Sequence, residues 1–239
     1  MERISCEVLL LSGANNVVPG GSVALERRIR FMQSIRISRQ TLNAARLASH
    51  YDNYRTAFNK PPYKPEGTNF VPGVGNTTPR IVFVGEAPGE NEDRLRVPFC
   101  GKAGRLLAQA MADSGLNRAR IPWYITNLVK YRPPGNKLSH EVATPAYPML
   151  RTEIQILNPR IVVPLGQWST AAWFQNFSIT QVAGNIYSKR HGDHMIEVMP
   201  MLHPSYLLRK NDPKLFQDYV TLFRELTTYV RSSKQQATR

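Results

Sequence analysis

Ile81-Val82-Phe83-Val84 runs straight into Gly85-Glu86-Ala87-Pro88-Gly89, and this join decides the fold. A continuous apolar run of this length predicts a strand buried on both faces. The turn after it is rich in glycine, which lets backbone approach a ligand closely. In open α/β sheets the edge where strands end is where ligands bind. The pattern then repeats. Residues 123–129 read as a second strand holding Thr126-Asn127, residues 161–165 as a third and residues 195–202 as a fourth, followed by His203-Pro204-Ser205-Tyr206. Residues 103–114 read as a helix with Gly115 as its C-cap. Residues 139–157 read as mostly helical, with interruptions at Pro145 and Pro148, and residues 167–174 as a short helix. Asp212 as N-cap and Pro213 at the first helical position open a last helix running to about Val230. Strand alternating with helix predicts an α/β fold, a parallel sheet with helices on both faces.

The chain of 239 residues is long enough for one sizeable α/β domain, and its 42% apolar content is ordinary for a globular protein. Lys and Arg total 31 against 17 acidic residues, a formal charge of +14. That excess predicts attraction to a polyanion, most simply nucleic acid, with an anionic membrane surface as the blander alternative. The apolar stretches are strand-sized, so none spans a bilayer. Val8-Leu9-Leu10-Leu11 is too short for a signal-peptide core, and Glu2 and Glu7 flank it wrongly. Cys6 and Cys100 form neither a disulfide framework nor a four-thiolate metal site, so a reduced, cytoplasmic setting is expected. Residues 1–79 read as a basic N-terminal extension packed on or leading into the core. Arg27, Arg28, Arg30, Arg36, Arg39 and Arg46 lie in a helical stretch that Pro61-Pro62-Tyr63-Lys64-Pro65 ends. Residues 80–231 form the regular domain, and 232–239 a polar tail.

Several residues carry chemistry. Glu86 at a strand end suits either orienting a water or capping a helix. Phe99, in a loop bounded by glycines, either stacks on a base or tucks into the core. Lys102 opens a helix whose N-terminus suits a phosphate, though the full phosphate-loop motif is missing. Asn127 either reads a base edge as donor and acceptor or satisfies loop backbone. Arg132 and Lys137 lie in a proline-stiffened basic loop suited to a phosphate backbone. His203 closes the fourth strand and suits a structural or a catalytic part, whereas His50, His140, His191 and His194 read as solvated. No nucleophile elbow and no His/Cys metal spacing occur.

The order and spacing of these segments are specific. Gly85-Glu86-Ala87-Pro88-Gly89, Pro98-Phe99-Cys100-Gly101-Lys102-Ala103-Gly104, Thr126-Asn127-Leu128-Val129-Lys130-Tyr131-Arg132-Pro133-Pro134-Gly135-Asn136 and His203-Pro204-Ser205-Tyr206-Leu207-Leu208-Arg209 resemble the uracil-DNA glycosylase superfamily, in particular its iron–sulfur branch, family four. The resemblance covers about residues 80–230. It implies a three-layer α/β/α sandwich around a four-stranded parallel sheet, and an enzyme acting on DNA, with no membrane partner and as a monomer. It implies that Gly85, Glu86, Ala87, Pro88 and Gly89 line the pocket and place a water. Phe99 would stack on a flipped base, Asn127 read the pyrimidine edge, and His203 stabilise charge on the leaving base. Lys102, Arg132, Lys137, Ser205 and Arg209 would contact DNA, and Leu207 wedge into the duplex. No lysine nucleophile stands in these segments, so a glycosylase without lyase activity is expected.

Two departures stand out. The branch carries an N-terminal Cys-x-x-Cys and two later cysteines, but here the first pair is missing. Tyr131 stands at the third position and the fourth falls near Tyr147. A cluster needs four thiolates, so no iron–sulfur cluster and no other cofactor is expected. The best-known uracil enzymes place Asp and a bulky Tyr in the first turn, where this chain has Ala87 and Gly89. The small pair is usual in the iron–sulfur branch and leaves room for a C5 substituent, as in some phage DNA. Repair of deaminated cytosine and defence against phage with modified bases therefore both fit. A catalytically silent DNA-binding or replication-accessory relative is the reading of another class.

Overall fold

The computed structural model describes residues 38–232. Cys6, the run Arg27-Arg28-Ile29-Arg30, Arg36 and the tail from 233 lie outside the described residues. Among the described residues the strands are β1 (Val74–Gly75), β2 (Ile81–Gly85), β3 (Trp123–Asn127), β4 (Ile161–Pro164), β5 (Tyr187–His191) and β6 (His194–Val198). They form one sheet in the order β1-β3-β2-β4-β6-β5. The central four, β3, β2, β4 and β6, are parallel, as the resemblance implies. Two antiparallel edge strands are added to them. β5 was missed in the sequence because its residues are largely polar; Gly192-Asp193 closes it onto β6 as a two-residue hairpin, with Gly192 at φ 63.

The continuous apolar run of β2 is explained by burial on both sides. Val82 and Val84 face one cluster with Tyr51, Tyr124, Leu150 and Val162. Ile81 and Phe83 face the other, with Leu107, Ile125, Val163, Val220 and Phe223. Each such side chain taken from water contributes roughly 1.5–3 kcal/mol. The first face is covered by α1 (Arg39–Ala57) and by α4 (His140–Leu157), the second by α3 (Lys102–Asp113) and α8 (Pro213–Ser232). The result is three layers. Asp212 caps α8 as expected, accepting from the Lys214 N–H at 2.8 Å. α4 is continuous through Pro145 and Pro148, contrary to the expected interruptions. Its buried stripe of Val142, Ala143, Ala146, Leu150, Ile154 and Leu157 misses both prolines. Packing of that stripe offsets the roughly 3 kcal/mol that each internal proline costs.

Short helices occupy the connections: α2 (Glu90–Leu95), α5 (Gln167–Thr170), α6 (Ile179–Val182) and α7 (Pro204–Lys210). The fourth strand ends earlier than the apolar run suggested, at Val198, with a single further bridge from Met201 to Leu165. His203 therefore caps α7 rather than closing a strand. No helix among the described residues is long and apolar enough to cross a membrane.

Candidate active site

The carboxyl ends of β2, β3 and β4 set the site. Parallel register places Gly85 beside Asn127, so the turn after β2 and the amide at the end of β3 are neighbours. A Cβ on Gly85 would overlap both Asn127 Oδ1 and the edge of the Phe99 ring. Only glycine lets ring and amide close over the strand end. Phe99 holds its place at φ 56, a left-handed conformation rare for an aromatic residue. Its ring centroid lies 6.2 Å from that of His203, tilted by 33°. The cleft they border has a volume of about 280 Å³, and Glu86, Ala87, Pro88, Gly89, Asn127 and His203 all line it. The structure thus brings together the residues expected to hold the base, with Gly85 beneath them.

Glu86 is bound to a helix, though not the one that follows it in sequence. Its Oε1 accepts the Trp168 N–H at 3.3 Å, at the start of α5. Gly166, at φ 94, permits this, since a Cβ there would run into the Glu86 carboxylate and the His203 Cβ. Burial raises the Glu86 pKa, opposed by the Trp168 N–H, Arg209 and the Gln167 N–H. A carboxylate so poised can hold a water and take its proton.

His203 is fixed from one side. The Ser205 N–H donates to Nδ1 at 3.1 Å, and Ser205 Oγ lies 2.7 Å from the same nitrogen. With Nδ1 accepting, the proton of the neutral ring sits on Nε2, as a donor. Burial, aided by Arg209, lowers the His203 pKa from 6.5 to about 4, so the ring is neutral at physiological pH. Ser205 lines the cleft but engages His203, and Arg209 Nη1 reaches Ser205 Oγ at 3.4 Å.

Three expectations are corrected. Leu207 is only 4% exposed and packs in the core below α7, so it cannot wedge into a duplex; Leu208, 39% exposed, is its apolar neighbour at the surface. His50 and His191, read as solvated, are buried at 5% and 0% exposure because α1 and the β5–β6 hairpin fold onto the sheet. The remaining DNA candidates lie outside the cleft lining. Lys102 and Lys137 are exposed, and Arg132 donates from Nε to Asn136 Oδ1 at 2.8 Å. Sequence reasoning missed Glu92, Trp168, Asn136 and Leu138 in the cleft. Glu92 has a positioning part: its Oε1 accepts the Gly101 N–H at 2.6 Å and ties down the loop that carries Phe99.

Three histidines with lowered pKa, His50, His191 and His203, give the protein a pH dependence. Burial, then Arg151 and His194, lowers His191 from 6.5 to about 4. An unfolded chain takes up these protons near pH 6.5 and the folded chain does not. Stability is therefore fully present above pH 6.5 and is lost as pH falls toward 4, by roughly 2–3 kcal/mol for the fully buried His191. Urea midpoints measured from pH 7.5 down to 4.5 should fall, and less steeply in His191→Gln. Equal slopes in the two proteins would remove His191 from the account.

The position where the resemblance implies cluster cysteines does not fit an iron–sulfur group. Tyr131 is 4% exposed and packs with Tyr54 and Phe58, with Tyr63 and Phe70 around them. Among the described residues Cys100 is the single cysteine, and no group of three or more His, Cys, Asp or Glu is placed to hold a metal.

The model of the uracil DNA glycosylase superfamily matches residues 72–227. A type-4 uracil-DNA glycosylase of Thermotoga maritima is 43% identical over 153 residues, 62% of this chain and 76% of that protein. Those of Sulfurisphaera tokodaii and Archaeoglobus fulgidus are 42% and 36% identical, over 66% of this chain and 75% and 81% of theirs. A match over more than half of the chain, with relatives this similar, makes the chain a member of the uracil DNA glycosylase superfamily, and so a DNA glycosylase that hydrolyses N-glycosidic bonds.

Proposed function

We propose that the protein takes uracil flipped out of DNA and hydrolyses its glycosidic bond, leaving an abasic site. The observation that carries this reading is the convergence of Glu86, Phe99, Asn127 and a neutral His203 on one cleft. A stacked base must leave the duplex to be reached. Phe99 stacks on it and Asn127 pairs with its edge. His203 Nε2–H donates to the base oxygen on which negative charge grows, and a fixed donor needs no reorganisation as it does so. Glu86 orients the water that attacks the sugar. Leu208, rather than Leu207, fills the gap left in the stack. No lysine lines the cleft among the described residues, and Lys130 is held behind Asn127 by Glu153, which supports hydrolysis without a Schiff base.

A second reading rests on the turn. Ala87 and Gly89 line the cleft with at most one carbon of side chain, which favours acceptance of a C5-substituted pyrimidine and, with it, a part in defence against phage carrying such bases. Matched duplexes with a single uracil, 5-hydroxymethyluracil, thymine or cytosine, assayed for alkali-labile sites in single turnover, test both readings. Uracil is expected to be excised, and the C5-substituted base should be too. Uracil left intact would overturn the first reading. Gly89→Tyr should penalise the C5-substituted base more than uracil. A Cβ at Gly89 would lie 2.7 Å from Glu92 Oε2, so Gly89→Ala reports how far disturbing that carboxylate lowers all rates alike. Asn127→Asp, which turns a donor into an acceptor, should alter which base is accepted.

A further inference from the structure

A second cleft, of about 430 Å³, opens between α1, the segment after Pro65, α2 and the loop after β3. Arg55, Lys64 and Arg96 line it, with Phe70 and Tyr131 as its walls. The Arg55 guanidinium lies 4.2 Å over the Phe70 ring, and Lys64 Nζ is 5.8 Å from the Tyr131 ring centre. Arg96 is held by two bonds to Asn69 Oδ1, from Nε at 3.1 Å and Nη2 at 2.9 Å. Asn69 in turn donates its N–H to Asp93 Oδ1 at 2.7 Å. Arg96 reaches this place from a left-handed backbone, φ 56, at the end of α2. Asp52 pairs with Arg55 at 2.6 Å, but among the described residues no carboxylate forms an ion pair with Lys64 or Arg96. With Arg55 already paired, Lys64 and Arg96 are the two cations that an added anion would join.

We propose that this cleft holds a backbone phosphate of the bound DNA strand. The proposal rests on the DNA-glycosylase reading of the neighbouring site and adds a contact to it. Both clefts draw on α2 and its end: Glu92 lines the first, while Arg96 lines the second and Asp93 holds the Asn69 that binds Arg96. Tyr131 fills the cluster position and forms one side of an anion cleft, a surface that arginine and lysine can share with a nucleotide.

The test is duplex affinity against salt for the full chain, with the variants Lys64→Gln, Arg96→Gln and both together. The double change should reduce the log–log slope by about 0.9, the share of one phosphate, and each single change should give part of that loss. Lys64→Arg should keep the wild-type slope. Arg231→Gln should also keep it, because Arg80, which precedes β2, donates to the Val230 carbonyl at 2.5 Å and so places that helix end at the amino end of β2, away from the carboxyl ends that set the site. Replacing chloride by inorganic phosphate at constant ionic strength should weaken wild-type binding more than binding by the double variant. A slope that neither Gln variant changes overturns the proposal, even if inorganic phosphate binds, because the site would then serve a free anion. A slope lost equally in Lys64→Arg overturns it too. Wild-type protein that binds duplex with this slope pattern yet leaves no abasic sites counts against the proposed reaction alone.

Discussion

His203→Ala is expected to lower single-turnover excision of uracil by about 10²–10³, the scale for losing one donor to a developing oxyanion, with duplex binding retained. The geometry explains why the loss should fall on chemistry. The His203 Nδ1 is committed to the Ser205 N–H, so what the ring offers the cleft is the Nε2–H. That donor gains strength only as charge leaves the sugar for the base, so its removal leaves ground-state binding almost untouched. With the ring pKa lowered to about 4, excision should not depend on His203 protonation between pH 6 and 8. A pH–rate profile in that range should therefore show no step that His203→Gln abolishes. Ser205→Ala removes a hydroxyl that touches the ring and leaves the backbone donor in place, so its loss should be much smaller. Normal excision by His203→Ala would remove the histidine from the mechanism. An equal loss in Ser205→Ala would mean that the hydroxyl, not the ring, supplies the group that acts.

How much of this was legible in the sequence follows from how local each signal is. The run Ile81–Val84 announced its strand because both of its faces are buried, so no polar residue interrupts it. Asn127 and Gly85 were each legible as strand ends, but their contact depends on register, which one strand alone does not encode. The helix α7 is hard to read because the apolar run through Met201 and Leu202 carries the strand reading up to His203; Pro204 is at its first helical position, where its missing N–H costs nothing. That helix turns Leu207 inward and Leu208 outward, a distinction that depends on a rotation of 100° per residue and hence on knowing where the helix starts. Glu92 was invisible for a different reason. Its partner is the Gly101 N–H, and a backbone donor has no signature in sequence. His191 was misread because its strand alternates exposed and half-buried residues, so its one buried position does not stand out.

Lys130→Met is expected to reduce unfolding free energy by about 3–5 kcal/mol, the scale for leaving a buried charge without its partner. Lys130 is 1% exposed and Glu153 0%, with Nζ 2.7 Å from Oε2. All three ammonium protons are used, the other two on Thr126 Oγ1 and the Asn127 carbonyl, each at 2.6 Å. The second carboxylate oxygen accepts from the Tyr51 hydroxyl at 2.6 Å, which also lies 2.8 Å from that of Tyr124 and accepts the Gly73 N–H at 3.0 Å. Burial lowers the Lys130 pKa and Glu153 raises it again, so the ion pair survives only while both members are present. Methionine keeps the stem of the side chain and removes the charge, which isolates Glu153. Adding Glu153→Gln to Lys130→Met removes the orphaned charge, keeps an acceptor for Tyr51, and should recover at least half of the loss. Chemical denaturation of the two proteins measures this directly. Wild-type stability in Lys130→Met would show that the pair contributes nothing net. Equal losses in the single and double variants would assign the cost to packing instead of charge. The same variants report on function, because Lys130 grips the backbone of Asn127 from behind the cleft. Excision per folded molecule should fall in Lys130→Met and stay low in the double variant, since neither methionine nor glutamine replaces the donor to that carbonyl. Full excision in the stability-restored double variant would show that Asn127 is held by the strand register alone.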